Sequence, residues 1–302
     1  MIFGRLIKNF LRNKQPMKEL IKKVIEEINY KYNSKVDALP TGVPSGIKEL
    51  DRFTRGFHNG DLIIVAGRPS MGKSAFALSI TRHLAVAEKI PVLFFSLDMP
   101  KEELAQRALC SSAGVDIHKV RTGYLSISDW PRLTTAAGKL SEAPIFIDDT
   151  LEPDINKLRA KVYRLSKKEK VKLIVIDYLQ LMHGPAVTGN RQDEISEICW
   201  LLKKLAKNLQ VPILVISQLS GKVDSHEGYR PQLRDLRKSG PIEKTADLVI
   251  LLFREEYYEA TPESRNRAEI VIAKNRTGPV GSVRLSFSGS YMRFEDLSAS
   301  ER

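Results

Sequence analysis

A chain of 302 residues, 42% hydrophobic and 28% charged, buries a substantial core, which argues against a disordered polymer. Its 48 lysines and arginines against 36 aspartates and glutamates leave a formal charge of +12, which points to a polyanionic partner, nucleic acid ahead of a membrane surface. Cys110 and Cys199 form no C-x-x-C pair, no Cys/His cluster has metal-ligand spacing, and no apolar run approaches the roughly 20 residues of a membrane span. The cysteines read as small buried hydrophobes, and the compartment as reducing and cytoplasmic.

Residues 1–16 place Ile2, Phe3, Leu6, Ile7, Phe10 and Leu11 on one helical stripe, with Arg5, Lys8, Arg12 and Lys14 between them. This is a basic amphipathic arm, suited to docking on protein or DNA. Pro16 ends it. Residues 17–33 predict a second amphipathic helix with Leu20, Ile21, Val24, Ile25 and Ile28 on its apolar face. Pro40, Gly42, Pro44 and Gly46 then break the pattern as a linker does. The expected organisation is an arm (1–16), a linker helix and linker (17–39) and one large domain (40–302).

From residue 61 apolar runs alternate with helical patterns. "DLIIVAG", "PVLFFSL", "APIFIDD", "KLIVIDYLQLM" and "VPILVISQ" predict strands, and helical patterns fill the gaps between them. The expected class is α/β, a mostly parallel sheet covered on both faces. "DLVILLF", "AEIVIAK" and "SVRLSF" follow with shorter connections and predict antiparallel edge strands.

The strand at 62–67 runs into "GRPSMGKSA", a G-x-x-x-x-G-K-S loop leading a helix. In that context Gly67, Arg68, Ser70, Met71, Gly72, Lys73, Ser74 and Ala75 present successive backbone N–H groups to a β-phosphate at a positive helix end. Lys73 is placed to reach the β- and γ-phosphates, and the Ser74 hydroxyl to ligate Mg²⁺. An acid at the end of an apolar strand completes such a site, and Asp177 in "LIVIDY" fits. Strand ends of open α/β sheets converge on the ligand. Asp98 therefore becomes a candidate to orient or deprotonate the attacking water, and Gln218 to sense the γ-phosphate.

"GRPSMGKSAFAL", "FFSLDMP", "VRTGYLSISDW", "IFIDDT", "LIVIDYLQLM", "ISQLS", "RPQLRDLRKSGPIEKTADLVILLFRE" and "EIVIAKNRTGPVGSVRLSF" occur in that order. Together they resemble the RecA-fold motor domain of DnaB-type replicative helicases, from about residue 36 to 297. The resemblance implies a homohexameric ring with ATP between subunits. It implies, too, that single-stranded DNA threads the channel and is tracked in the 5′-to-3′ direction. It also implies that Lys274 and Arg276 in "AKNRTGP" reach a neighbour's ATP, and that Gln218 couples nucleotide to the DNA loops. Arg237, Lys238 and the amides near Gly240 hold the strand, and the helix at 17–33 docks on the adjacent protomer.

Departures from the family pattern are Asp98 where glutamate is usual, Lys238 where an acid usually follows the loop arginine, and Gly221 in place of an arginine. No counterpart of the N-terminal collar domain is read, so primase contact through it is not expected. A helicase loader or replication-initiation protein is the expected further partner. The competing reading is an ATP-binding regulator or loader with little unwinding. A filament- or ring-forming ATPase of the recombinase or clock type fits "LRKSG" and "KNRTGP" less well.

Overall fold

Strands built wholly of Val, Ile, Leu and Phe can satisfy both faces only inside a sheet covered on two sides. The computed structural model realises this, and it describes residues 16–33, 40–150, 154–184, 190–219, 230–239 and 242–298. The chain forms two units, Met1–Leu39 and Pro40–Arg302.

In the first unit, helix α1 (Met17–Asn33) carries the expected stripe. Leu20, Ile21, Val24, Ile25 and Ile28 are all exposed. The basic arm expected over residues 1–16 falls, Pro16 apart, outside the described residues.

In the second unit α2 (Lys48–Thr54) precedes β1 (Leu62–Gly67), and α3 (Lys73–Arg82) follows the glycine loop. Next come β2 (Val92–Ser96), α4 (Lys101–Ala113), α5 (Ile117–Thr122), α6 (Asp129–Ser141) and β3 (Ile145–Asp148). Then follow α7 (Ile155–Glu169), β4 (Leu173–Asp177), α8 (Arg191–Leu209), β5 (Ile213–Gln218) and α9 (Ile242–Thr245). Strands β6 (Leu248–Phe253), β7 (Arg267–Asn275), β8 (Gly281–Ser288) and β9 (Arg293–Asp296) close the chain.

Among the described residues the nine strands form one sheet in the order β3-β2-β4-β5-β1-β6-β7-β8-β9. The first six are parallel and the last three antiparallel, as the alternation of helical spacers predicts. β1 lies between β5 and β6. Leu62, Ile64 and Ala66 face a core shared with α7 and α8, and Ile63 and Val65 face the core under α3. Strand β3 is only half-buried, because it is the sheet's edge.

The helix after the glycine loop ends at Arg82 and continues as one π turn, His83–Ala87. The stretch between β2 and β3 holds three helices, with left-handed glycines Gly114 and Gly123 ending α4 and α5. Side-chain caps start α5, α7 and α8. Asp154 accepts from the Asn156 and Lys157 amides at 2.8 and 3.0 Å, and Asn190 from Gln192 at 3.0 Å.

Candidate nucleotide site

Register gathers the site at the carboxyl ends of the parallel strands. Gly67 pairs with Gln218 and Ser96 with Asp177, so β1 and β5 end together, and β2 and β4 end together two residues short of them. The loop from Gly67 to Gly72 turns there into α3. Gly72 has φ +89°, and a Cβ on it would lie 3.1 Å from the Phe294 ring. Both facts require glycine. At Gly67 a Cβ would come 3.1 Å from the Leu252 carbonyl oxygen. Ser70 is also left-handed, at φ +65°. Met71 and Ala75 are buried against the sheet, which fixes the loop's base.

Lys73 is largely buried, and its Nζ donates to the Arg68 carbonyl at 2.8 Å. Burial pulls the ammonium down to about 8, against the attraction of Asp177. Asp177 is 3% exposed and hydrogen-bonds the Ser74 side chain. Burial pushes its carboxyl up to about 6; Ser74 and Lys73 pull it down, and the charge of Asp98 pushes it further up. Its Oδ2 is buried without a hydrogen-bond partner. A hydroxyl beside an unsatisfied carboxylate oxygen is a donor set that suits a hard divalent cation completed by phosphate and water. Among the described residues no group of three His, Cys, Asp or Glu side chains could hold a metal.

Asp98 is exposed, two residues beyond β2. The Leu97 amide donates to the Asp177 carbonyl at 2.7 Å, and the Ser96 hydroxyl to the Met99 carbonyl at 2.7 Å, so both flanks of Asp98 are held. Gln218 is exposed at the end of β5, and Gln180 clamps that end. The Gln180 amide donates to Ser217 Oγ at 2.9 Å and to the Gln218 carbonyl at 3.2 Å, and its Oε1 accepts the Gln218 N–H at 3.1 Å.

Two contributors escaped the sequence reading. Gln180 is one. Arg254, just past β6, is the other. Its guanidinium lies 4.2 Å from the Phe287 ring centroid and donates to the Ser70 carbonyl at 3.0 Å. A cation directly after an apolar strand beside β1 is the signal that marks it.

Lys274 and Arg276 stand elsewhere. β7 runs antiparallel to β6, and Asn275 pairs with Leu248. The Asp247 amide in turn donates to the Leu62 carbonyl at 2.9 Å. The pair therefore lies at the amino end of β1, five residues or about 17 Å from Gly67 along the strand. Lys274 Nζ donates to the Glu243 and Ala246 carbonyls, both at 2.6 Å, and Arg276 bonds Asp247 Oδ1 at 3.3 Å.

The strand-holding candidates are only partly described. Arg237 and Lys238 lie on a 3-10 turn, Leu233–Ser239, where the sequence reading expects a loop. Their side chains, with Gly240 and Gly221, fall outside the described residues.

A glycine loop between a buried strand and a helix, with an acid ending a neighbouring strand, defines a P-loop nucleotide-binding protein. Comparison narrows the class: a model of the DnaB-like helicase C-terminal domain matches residues 42–296, and the chain belongs to that family. The replicative DNA helicase DnaB of Geobacillus stearothermophilus is 47% identical over 250 residues, covering 82% of this chain and 55% of the relative. The replicative DNA helicase DnaC of Bacillus subtilis (strain 168) is 46% identical with the same coverage. Among solved structures, the ATPase domain of G40P matches with a TM-score of 0.88 at 36% identity, covering 95% of this chain and all of that one. A DnaB-like replicative helicase, described with its interactions with primase, matches at 0.85 and 36%, covering 95% of this chain and 68% of that one. The chain spans about half the length of the curated relatives it matches. Its fold is that of the DnaB-like, RecA-like ATPase domains.

The buried carboxyl makes a stability prediction. A carboxyl whose folded pKa is about 6, against 3.8, favours folding while protonated, and that contribution is lost as pH rises between those values. Asp177→Asn is therefore expected to raise the unfolding midpoint of the ligand-free protein at pH 7.5. The gain is at most about 3 kcal/mol, less the lost attraction to Lys73. Thermal unfolding at pH 5 and 7.5 checks this, because the gain should shrink at the lower pH.

Proposed function

We propose that this chain is the ATP-driven motor of a DnaB-type DNA helicase, working as a ring in which each ATP is held between two subunits. One observation carries the reading: the phosphate loop and the Lys274–Arg276 pair lie at opposite ends of the sheet. About 17 Å of strand separates them, too far for one subunit to bring both to one phosphate. A neighbour related head-to-tail brings one chain's pair to the next chain's loop, and repetition of that contact closes a ring.

In this reading the backbone from Gly67 to Ala75 grips the β-phosphate and Lys73 spans the β- and γ-phosphates. Ser74 and Asp177 are the residues that would hold magnesium with the nucleotide, and the cation would supply neutralising charge on the phosphate oxygens. Asp98 orients the attacking water, and the partner's Arg276 stabilises charge on the γ-phosphoryl oxygens. Arg254, stacked on the buried Phe287 ring and paired with Glu256, braces the loop at the Ser70 carbonyl.

Coupling to DNA follows the chain path. β5 ends at Gln218, beside the loop; the described chain resumes at Arg230, bonded to Glu269 opposite Phe253 at the same end of the sheet, and runs through Leu233–Ser239 and α9 to the amino end of β6. One segment thus connects the γ-phosphate end to the neighbour-facing end and carries Arg237, Lys238 and Gly240, proposed to hold the strand's backbone. Backbone contacts of this type bind without reading sequence and weaken with salt. The exposed stripe of α1 gives the ring a second contact, docking on the adjacent protomer.

The test is strand displacement on a forked duplex beside DNA-stimulated ATP hydrolysis. Hydrolysis with unwinding from a 5′ tail supports the motor. Nucleotide binding with neither activity favours a regulator or loader, the reading that the short Asp98 side chain supports.

A further inference from the structure

We propose that Asp247 is a positioning residue that holds Arg276 inside its own subunit, and that Lys203 keeps this hold weak enough to release. The inference rests on the reading of Arg276 as the group donated to the neighbouring site.

Asp247 is 5% exposed and immediately precedes β6. Its backbone is fixed on both sides: its N–H donates to the Leu62 carbonyl, and its carbonyl accepts the Arg276 N–H, each at 2.9 Å. Its carboxylate is shared. Oδ2 accepts the Leu62 N–H at 2.9 Å and the Lys203 ammonium, and Oδ1 accepts Arg276 Nη1 at 3.3 Å. Lys203 is itself enclosed, and its Nζ also donates to the Gly60 carbonyl at 2.6 Å. The Arg276 side chain, by contrast, is 67% exposed. One buried carboxylate therefore bonds two cations, a buried one that stays and an exposed one that can leave, while a third, Lys274, is attracted without a bond to it.

That division matters because a buried carboxylate stranded without a counter-charge is strongly unfavourable. If Arg276 were the only cation at Asp247, moving it to a neighbour's phosphate would strand the carboxylate. With Lys203 and the Leu62 N–H in place, Asp247 stays compensated after Arg276 departs. Other groups at this corner leave the assignment unchanged. Lys274 is engaged by the Glu243 and Ala246 carbonyls, and Asp61, whose carboxyl burial and Asp247 both push upward, bonds the His58 amide. The segment 243–247 therefore anchors both members of the pair, and it continues directly from the turn carrying Arg237 and Lys238. Displacement of that turn by a bound strand would change how Arg276 is aimed.

The test is a double-mutant cycle on ATP turnover with saturating single-stranded DNA, and it separates a hold from a merely structural ion pair. Lys203→Gln keeps a donor for Gly60 but removes the permanent counter-charge, so Asp247 grips Arg276 more tightly. The expected result is a fall in kcat of about tenfold with little change in KM for ATP. Adding Asp247→Asn to Lys203→Gln abolishes the grip, and kcat should return to within about threefold of wild type. Lys203→Arg, which keeps the cation, should lose no more than half of kcat. Additive or greater loss in the double variant overturns the proposal, as does a normal kcat in Lys203→Gln. If Lys203→Gln does not fold, Lys203→Met with Asp247→Asn, neutral on both sides, is read alone; a kcat more than tenfold below wild type overturns the hold. Arg276→Ala is run alongside. Unchanged turnover there removes the donated-arginine reading itself, whereas a large loss there with no response to Lys203 removes only the hold.

Discussion

Arg276→Ala should lower ATP turnover by about 10³–10⁵-fold while leaving nucleotide binding nearly intact. The size follows from where an arginine of this kind acts. Charge developing on the γ-phosphoryl oxygens in a water-poor seam is stabilised by a fixed cation far more strongly than in water. The ground-state phosphates already have Lys73 and the loop amides, so affinity should change little. The sheet geometry adds a sharper expectation. Because Arg276 and Gly67 lie at opposite ends of β1, the damage belongs to the neighbour's site. Mixing Arg276→Ala with Lys73→Ala protein, each inactive, should restore hydrolysis at every seam that joins an intact loop to an intact arginine, roughly one quarter of seams in a random equal mixture. No recovery over either parent, with subunit exchange verified by mass, would reject a shared site.

Asp98→Glu is expected to raise turnover, by up to about 10²-fold. The aspartate holds its carboxylate about one bond length short of where the family's usual glutamate would. The backbone offers little room to compensate, because the Leu97 amide is tied to the Asp177 carbonyl and the Ser96 hydroxyl to the Met99 carbonyl. A displacement of about 1 Å at a reacting water is enough to account for that factor. The gain should appear in kcat rather than KM. A rate that is unchanged or lower, measured in single-turnover hydrolysis, means that Asp98 already sits correctly or does not act on the water.

What the sequence reveals depends on distance along the chain. The glycine loop, its strand and its helix are contiguous, so Gly67 to Ala75 could be assigned from spacing alone. Asp177 follows from the same logic, since an acid ending an apolar strand is a local pattern. The parallel core with antiparallel edges follows from the shortening of the spacers after β6. Contacts that close over long separations were hidden. Asp247 touches Leu62 across 185 positions, and Arg254 reaches Ser70 across 184. Neither residue stands in a local motif that announces its partner. Gln180 was hidden for a different reason: its amide completes the end of β5 through a neighbouring strand, and nothing in "DYLQLM" marks a clamp. The edge position of β3 was likewise invisible, because strand order is not written in composition. The division of the stretch between β2 and β3 into three helices turns on Gly114 and Gly123, which a glycine count alone does not distinguish from tolerated interior glycines.

The exposed stripe on α1 and the divided site lead to the same requirement, a neighbour. The most direct measurement is therefore the mass of the particle formed with a non-hydrolysable ATP analogue, Mg²⁺ and a single-stranded oligonucleotide, by native mass spectrometry or sedimentation. The expected species is six chains on one strand, lost when Ile21 and Ile25 of α1 are changed to aspartate. A particle of one chain, with nucleotide and oligonucleotide both bound, would contradict an ATP site built between subunits.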